Sequence, residues 1–172
     1  MSSCLDLVLD VATGTGAQAY ELAKLGHEVL GIDLSSEMLE QAKKKCGQEL
    51  KLGFQQVDAT DIPFGDSFFD ASSISFGLHD MPYEVDLLVL KEMKRVTKNN
   101  GKILIVDYME PRKHLVARFS HQIVSLYETV NYKPFIERGL ETILKEVGLK
   151  IDKSTNFLGA VQINLITNQK DK

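Results

Sequence analysis

The chain has 172 residues, 44% of them hydrophobic and 26% charged, which is enough for one domain with a buried core. Its net charge of −4 argues against a nucleic-acid partner, which would call for a basic patch, and no apolar run approaches the roughly 20 residues of a membrane span. Cys4 and Cys46 form neither a metal-ligand pattern nor a disulfide framework, so no metal site is expected and a reducing cytoplasm is the expected setting.

In chain order, Leu5 to Val11 reads as a buried strand and Gln18 to Leu25 as a helix ended by Gly26. Asp6 and Asp10 interrupt the N-terminal apolar stretch, so no signal peptide is expected there. Glu28 to Ile32 is a second strand. Ser35 or Ser36 caps the next helix, which carries Glu37 in its first turn, Lys43-Lys44-Lys45 at its negative end and Gly47 beyond it. Leu50 to Val57 and Phe68 to Phe76 are strands three and four. Pro82 starts a helix with Val85, Leu88, Val89, Met93 and Val96 on one apolar face. Asn99-Asn100-Gly101 is a turn, and Ile103 to Val106 a short fifth strand before Asp107.

Pro111 to Lys133 is helical in character, with Leu115, Phe119, Ile123, Leu126 and Tyr127 at helical spacing. A further helix from about Pro134 carries Ile136, Leu140, Ile143, Leu144 and Val147 and stops at Gly148. The strands Leu149 to Phe157 and Val161 to Thr167 are joined only by Leu158-Gly159-Ala160, too short for a parallel crossover, so they must be antiparallel. The alternation of strands and helices predicts a single α/β domain over residues 1–172 with a mostly parallel sheet.

The chemistry concentrates at strand ends. Leu9-Asp10-Val11-Ala12-Thr13-Gly14-Thr15-Gly16 joins a strand to a helix through a glycine turn, and Asp33 ends the next strand. Such a unit holds an adenosine-containing cofactor: glycines let it approach the backbone, and the second-strand acid accepts hydrogen bonds from ribose hydroxyls. The same pattern satisfies the looser dinucleotide fingerprint, which leaves a nicotinamide cofactor open. Three features favour a different cofactor. Asp10, four residues before Gly14, would attract a cationic amine, directly or through water, and repel a pyrophosphate. A third acid-ended strand, Val57-Asp58-Ala59, is placed to meet an adenine amine. The final hairpin is the third feature.

These segments, with Gly31-Ile32-Asp33-Leu34-Ser35, Asp58 to Phe64, Phe68-Phe69-Asp70 with Ile74 to Leu78, and Arg95 to Gly101, resemble the motifs of class I S-adenosylmethionine-dependent methyltransferases in order along the chain. Ser75-Phe76-Gly77-Leu78 and Asp61-Ile62-Pro63-Phe64 are similar to the ubiquinone and menaquinone biosynthesis branch, from which His79-Asp80-Met81-Pro82 departs. The resemblance implies a Rossmann-like, seven-stranded sheet in the order 3-2-1-4-5-7-6, strand 7 antiparallel, with helices on both faces. It also implies a helical acceptor-side insertion around 111–133, and cover helices before strand one that this chain is expected to lack, leaving an open cleft.

By the same resemblance, S-adenosyl-L-methionine is the cofactor and S-adenosyl-L-homocysteine the product. Gly14 and Gly16 form the floor under its methionine part, Asp10 and Ala12 are further cofactor-binding residues, Asp33 binds the ribose, and Leu34 and Met38 pack on the purine. Asp58 and Ala59 meet adenine, and Ser75, Phe76 and Gly77 line the space near the sulfonium. Transfer from a sulfonium needs alignment and desolvation more than side-chain chemistry. A base is needed only if the acceptor must lose a proton, and His79, just past strand four, is the candidate; a histidine that caps the loop is the alternative. Asp107 and Tyr108 are expected at the same mouth, and His114, His121, Tyr127 and Tyr132 on the helical insertion. The expected partner is a small-molecule methyl acceptor, quinone-like in one reading, and a homodimer is compatible with the sequence. A cofactor-binding protein without catalysis and an NAD-dependent oxidoreductase are the alternatives.

Overall fold

In a computed structural model, which describes residues 6–45, 49–110 and 130–170, β1 (Leu7–Val11) is buried on both sides because both faces of the sheet are covered. Leu9 and Val11 enter one core with Ile32, Ile74 and Ile105, whereas Val8 turns to a second core with Val29, Ala19 and Ala23. α1 (Ala17–Lys24) packs on that second face, and α2 (Ser36–Lys45) follows β2 (Glu28–Asp33), with the three lysines in its last turn. β3 (Leu52–Gln56), β4 (Phe69–Ser75) and β5 (Thr97–Tyr108) complete the parallel part of the sheet. A 3-10 turn (Leu78–Asp80) and α3 (Tyr83–Val96) join β4 to β5, and α4 (Tyr132–Arg138) and α5 (Leu140–Glu146) precede β6 (Ile151–Phe157) and β7 (Val161–Thr167).

The strand order is β3-β2-β1-β4-β5-β7-β6, with β7 antiparallel to both neighbours. The expected sheet is therefore present. Order reverses between β1 and β4, and the crevice outside the carboxyl ends of these two strands is where open α/β sheets bind ligands.

Three expectations need correction. The helical face expected to hold Leu88 instead carries Leu90, fully buried, and Asp86; Leu88 points to solvent. A 3.6-residue period through Asp86, Val89, Leu90 and Met93 leaves Leu88 on the opposite side. The helix expected from Pro134 to Val147 is two helices, broken at Gly139, whose φ of 76° and ψ of 139° no helix accommodates. The turn at Asn99 to Gly101 lies inside β5: the register slips between Phe69↔Thr97 and Ala71↔Lys102, with Asn100 at φ 63°. The expected strands three, four and six also shorten by one or two residues at an end. Cys4, Gly47, Cys46, His114, His121, Tyr127 and residues 111–129 lie outside the described residues.

Asn168, buried after β7, donates from its amide to the carbonyls of Lys94, Thr97 and Lys98, tying the last strand to the α3–β5 junction. Asp70 spans the same end of the sheet, accepting the Leu7 N–H and the Lys98 ammonium, and these bonds hold its carboxyl below the usual range. Gly101 sits where a Cβ would lie 2.5 Å from the Asp70 carbonyl oxygen and 2.8 Å from Thr97 Cγ2. The backbone oxygen cannot yield as a flexible side chain would. Gly101→Ala is therefore expected to destabilise the fold by about 2 kcal/mol, read as a lower urea midpoint at an unchanged slope.

Candidate active site

The turn after β1 is held from below by a buried carboxylate. Asp10 Oδ2 accepts the Thr13 hydroxyl at 2.6 Å, and Oδ1 accepts Ser73 Oγ at 2.7 Å and Gln18 Nε2 at 2.9 Å. One side chain so connects β1, the glycine turn, α1 and β4. Burial pushes its carboxyl up, against the opposing pull of the Thr13, Ser73 and Gln18 bonds. Asp10 is 1% exposed and supports the turn from beneath.

Above it the turn runs through left-handed backbone at Ala12, Gly14 and Gly16, with φ of 50°, 56° and 76°. The Thr13 N–H donates to the Ile32 carbonyl, and the Gly14 N–H to Asp33 Oδ2 at 2.8 Å. Asp33 Oδ1 accepts the Ser35 N–H, so the β2 acid orients both strand-end turns. A Cβ on Gly14 would meet nothing within 4 Å, whereas one on Gly16 would strike Ala42 and Phe54 at 2.9 Å. Gly14 thus faces open space, and Gly16 lets α1 seat against its neighbours.

The next strand ends complete the rim. Leu34 and Met38 are exposed beside Asp33, at 68% and 42%. Asp58 is exposed after β3, its Oδ1 accepting the backbone and hydroxyl of Thr60, which hold its carboxyl low; Ala59 packs partly against the core. Beyond β4, Phe76 is left-handed (φ 52°) and 42% exposed, Ser75 is half-buried, and a Cβ on Gly77 would come within 3.2 Å of Ala12 Cβ. The structure thus brings Ala12, Gly14, Asp33, Leu34, Met38, Asp58, Ala59, Ser75, Phe76 and Gly77 to one edge of the sheet, with Asp10 beneath and Gly16 behind. An adenosyl cofactor fits this rim: open space over Gly14, an acid held low at Asp58 and the exposed apolar side chains of Leu34, Met38 and Phe76 suit a charged, aromatic and apolar ligand.

The loop from Asp61 to Phe64 is clamped to α3. The Arg95 guanidinium donates to the Ile62 and Phe64 carbonyls at 2.8 Å and to both Glu92 oxygens at 2.7 Å, and Glu92 also accepts the Ile62 N–H. The ion pair raises Arg95 and lowers Glu92. Two of the motif segments, distant in sequence, are therefore one structural unit.

His79 and Asp107, just past β4 and in β5, are both buried. His79 Nδ1 and Asp107 Oδ1 are 2.7 Å apart, and Asp107 Oδ2 accepts the Leu78 and His79 N–H groups. Nε2 lies 3.5 Å from Asp80 Oδ1, so each ring nitrogen of His79 faces a carboxylate. Rings of Tyr108, Tyr132 and Phe76 stand edge-on around the imidazole at centroid distances of 4.7, 6.0 and 6.5 Å. A cavity of about 690 Å³ borders Tyr108 on the side of α4, with Phe135, Arg138, Gln162 and Asn164 in its wall. Sequence reasoning placed Asp107 nearby but not its bond to His79, and it missed Asp86, an acid on the buried stripe of α3. The signal available was a charged residue at an apolar position of the helical period.

The strand order, the glycine turn at the switch point and the acid-ended strands define the class I methyltransferase fold. A solved S-adenosylmethionine-dependent methyltransferase from Methanosarcina mazei shares it, with a TM-score of 0.75 at 20% identity over 97% of this chain and 94% of that one. The magnesium protoporphyrin IX methyltransferase of Synechocystis, solved with bound S-adenosylhomocysteine, aligns with a TM-score of 0.73 at 19% identity over 96% and 75%. Residues 8–101 match the methyltransferase domain family, and the chain belongs to that family. It is 36% identical over 147 residues to a demethylmenaquinone methyltransferase of Paenarthrobacter aurescens, covering 84% of this chain and 51% of that protein. It is 41% identical over 114 residues to a ubiquinone/menaquinone biosynthesis C-methyltransferase of Citrifermentans bemidjiense, covering 60% and 46%. The chain spans about half the length of these relatives.

The Asp10 network makes a stability prediction. Asp10→Ala removes an acceptor from three donors and is expected to cost about 3 kcal/mol, while Asp10→Asn, which keeps one acceptor oxygen, costs less. Urea unfolding of the two variants checks the order.

Proposed function

We propose that this protein transfers a methyl group from S-adenosylmethionine to a small-molecule acceptor, quinone-like as in the relatives' names, by in-line displacement. The observation that supports this most strongly is the convergence of Gly14, Asp33, Asp58 and Phe76, from four strand ends, on one open edge at the switch point. When bound, the cofactor supplies a methyl carbon already activated by its sulfonium. Gly14 gives the methionine part room to approach the backbone, and Ala12 continues that floor. Asp33 binds the ribose hydroxyls through the lone pairs not used by Gly14 and Ser35. Leu34 and Met38 cover the purine, Asp58 takes its amine, and Ala59 packs beside it. Ser75, Phe76 and Gly77 border the reacting end.

The acceptor side is formed by Tyr108, Tyr132 and the cavity beside them. His79 is the base for an acceptor that must lose a proton: Asp107 fixes its orientation and balances the imidazolium that forms. The aromatic rings exclude water from it and reduce the solvation of the acceptor's nucleophile.

Calorimetric titration with S-adenosylhomocysteine, S-adenosylmethionine and NADH tests the cofactor. The adenosyl ligands are expected to bind and NADH not to. Asp33→Ala should weaken the adenosyl ligands about 100-fold, the worth of two hydrogen bonds to a charged acceptor. NADH binding in their place would overturn the reading. In a methylation assay with a demethylated quinol, Asp107→Asn is expected to lower kcat by about 10²-fold, in the range general-base catalysis contributes, with unchanged S-adenosylhomocysteine affinity. An unaltered kcat would remove His79 from the chemistry.

A further inference from the structure

Asp58, which takes the adenine amine in the proposed complex, lies beyond the sheet ladder. β3 ends at Gln56, and the Val57 N–H donates to the Asp33 carbonyl at 3.1 Å. A turn then closes at once: Asp58 Oδ1 accepts the Thr60 N–H and hydroxyl, and the Asp58 carbonyl accepts the Asp61 N–H at 3.1 Å. The far side of this turn is fixed at Ile62, whose side chain is buried in the core. Its backbone is gripped from α3 on both sides. The Ile62 N–H donates to Glu92 Oε2 at 2.8 Å, and the Ile62 carbonyl accepts from Arg95 Nη2 at 2.8 Å. Asp58 is thus suspended between the strand end that carries Asp33 and a clamp at Ile62.

The clamp is saturated. Arg95 Nε donates to Glu92 Oε1, Nη1 to the Phe64 carbonyl and Asp66 Oδ1, and Nη2 to the Ile62 carbonyl and Glu92 Oε2. All five guanidinium donors are therefore engaged. The Asp66 bond is peripheral, because that carboxylate is 75% exposed. A lysine would carry the charge but not the planar fork that reaches two carbonyls and a carboxylate together. Arg95 stands in the last turn of α3, where the chain enters β5 at its amino end, whereas the cleft lies at the carboxyl ends of the strands.

We propose that Arg95, with Glu92, is a positioning pair for adenine recognition: it touches no part of the cofactor but fixes the loop on which Asp58 reads the purine amine. The proposal rests on the assignment of Asp58 to that amine. A segment without ladder partners samples many backbone states, and a carboxylate that must be ordered on binding loses part of its hydrogen-bond free energy to that ordering. With the Ile62 backbone held at both its N–H and its carbonyl, Asp58 is ordered before the cofactor arrives. Releasing the clamp weakens recognition of the amine and spares the contacts at Gly14 and Asp33, which rest on the bonds of the β1 and β2 turns.

The test compares S-adenosylhomocysteine with S-inosylhomocysteine, which presents a ring carbonyl where adenine has its amine, by calorimetric titration of the full chain. Wild type is expected to prefer the adenosyl ligand by about 30-fold, the worth of one hydrogen bond to a charged acceptor, and Asp58→Ala to lose that preference. Arg95→Lys and Glu92→Ala are each expected to cut the preference to about threefold by weakening the adenosyl ligand alone. Asp66→Ala, which removes only the peripheral bond, should leave it intact. Hydrogen exchange without ligand gives a second readout: the Thr60 and Asp61 N–H groups should exchange about tenfold faster in Arg95→Lys, with the Gly14 N–H unchanged. A merely structural clamp would weaken both ligands equally. That result, a preference that survives in both clamp variants, wild-type exchange at Thr60 and Asp61, or a wild type without preference would each overturn the proposal. If one clamp variant does not fold, the other carries the comparison. A wild type that binds neither ligand removes the methyl-transfer reading and the proposal with it, whereas clamp variants that discriminate as well as wild type remove the proposal alone.

Discussion

The site depends on one buried carboxylate. Asp10 is the only acid of β1, at the strand adjoining the switch point, and its two oxygens collect donors from the turn, from α1 and from β4. A parallel sheet leaves the strand-to-helix turn without ladder partners, so something must fix the angle at which the chain leaves β1. Here a buried carboxyl does so, its three short hydrogen bonds opposing part of its desolvation. The left-handed residues Ala12 and Phe76, each strained for a side-chain-bearing residue, follow the two strands that Asp10 joins. Their turns pack together across Gly77, so the strain is held by the same assembly that forms the floor of the cleft.

Around that floor, polar and apolar groups are arranged by strand end. Asp33 serves two backbone donors with its two oxygens and so couples the turn after β1 to the turn after β2. Leu34, Met38 and Phe76 stay exposed between the acids, an arrangement costly for a surface with no ligand to cover it. The Arg95–Glu92 pair holds the loop after β3 by its backbone carbonyls and N–H, which lets that loop dispense with a helix of its own. Beyond β4 and β5 the setting is drier. Aromatic rings and burial surround His79, and carboxylates face both of its ring nitrogens, Asp107 at Nδ1 and Asp80 at Nε2.

The elements that could be read from the chain were those with short-range causes. Apolar runs ending in Asp10 and Asp33 predicted strands and their functional ends, and the three-residue link before Val161 required an antiparallel pair. The misreadings have long-range causes. Leu88 was assigned to the core because an apolar stripe admits several phases, and only packing against the sheet selects the one through Asp86 and Leu90. Gly139 breaks a helix that its neighbours' periodicity would continue. Asn99-Asn100-Gly101 looks like a turn, yet Asn168, some 70 residues on, draws that segment into the sheet.

By itself, the sequence determined the order of strands and helices, the glycine turn and the acids that end the strands, because each follows from local periodicity and backbone preference. It thereby determined the class of ligand the edge suits. Only the tertiary structure decided that Asp10 ties the turn to α1 and β4, that Asp107 bonds the imidazole of His79, and that Asp86 is buried on α3. Those outcomes depend on side chains 28 to 63 residues apart sharing a low-dielectric space.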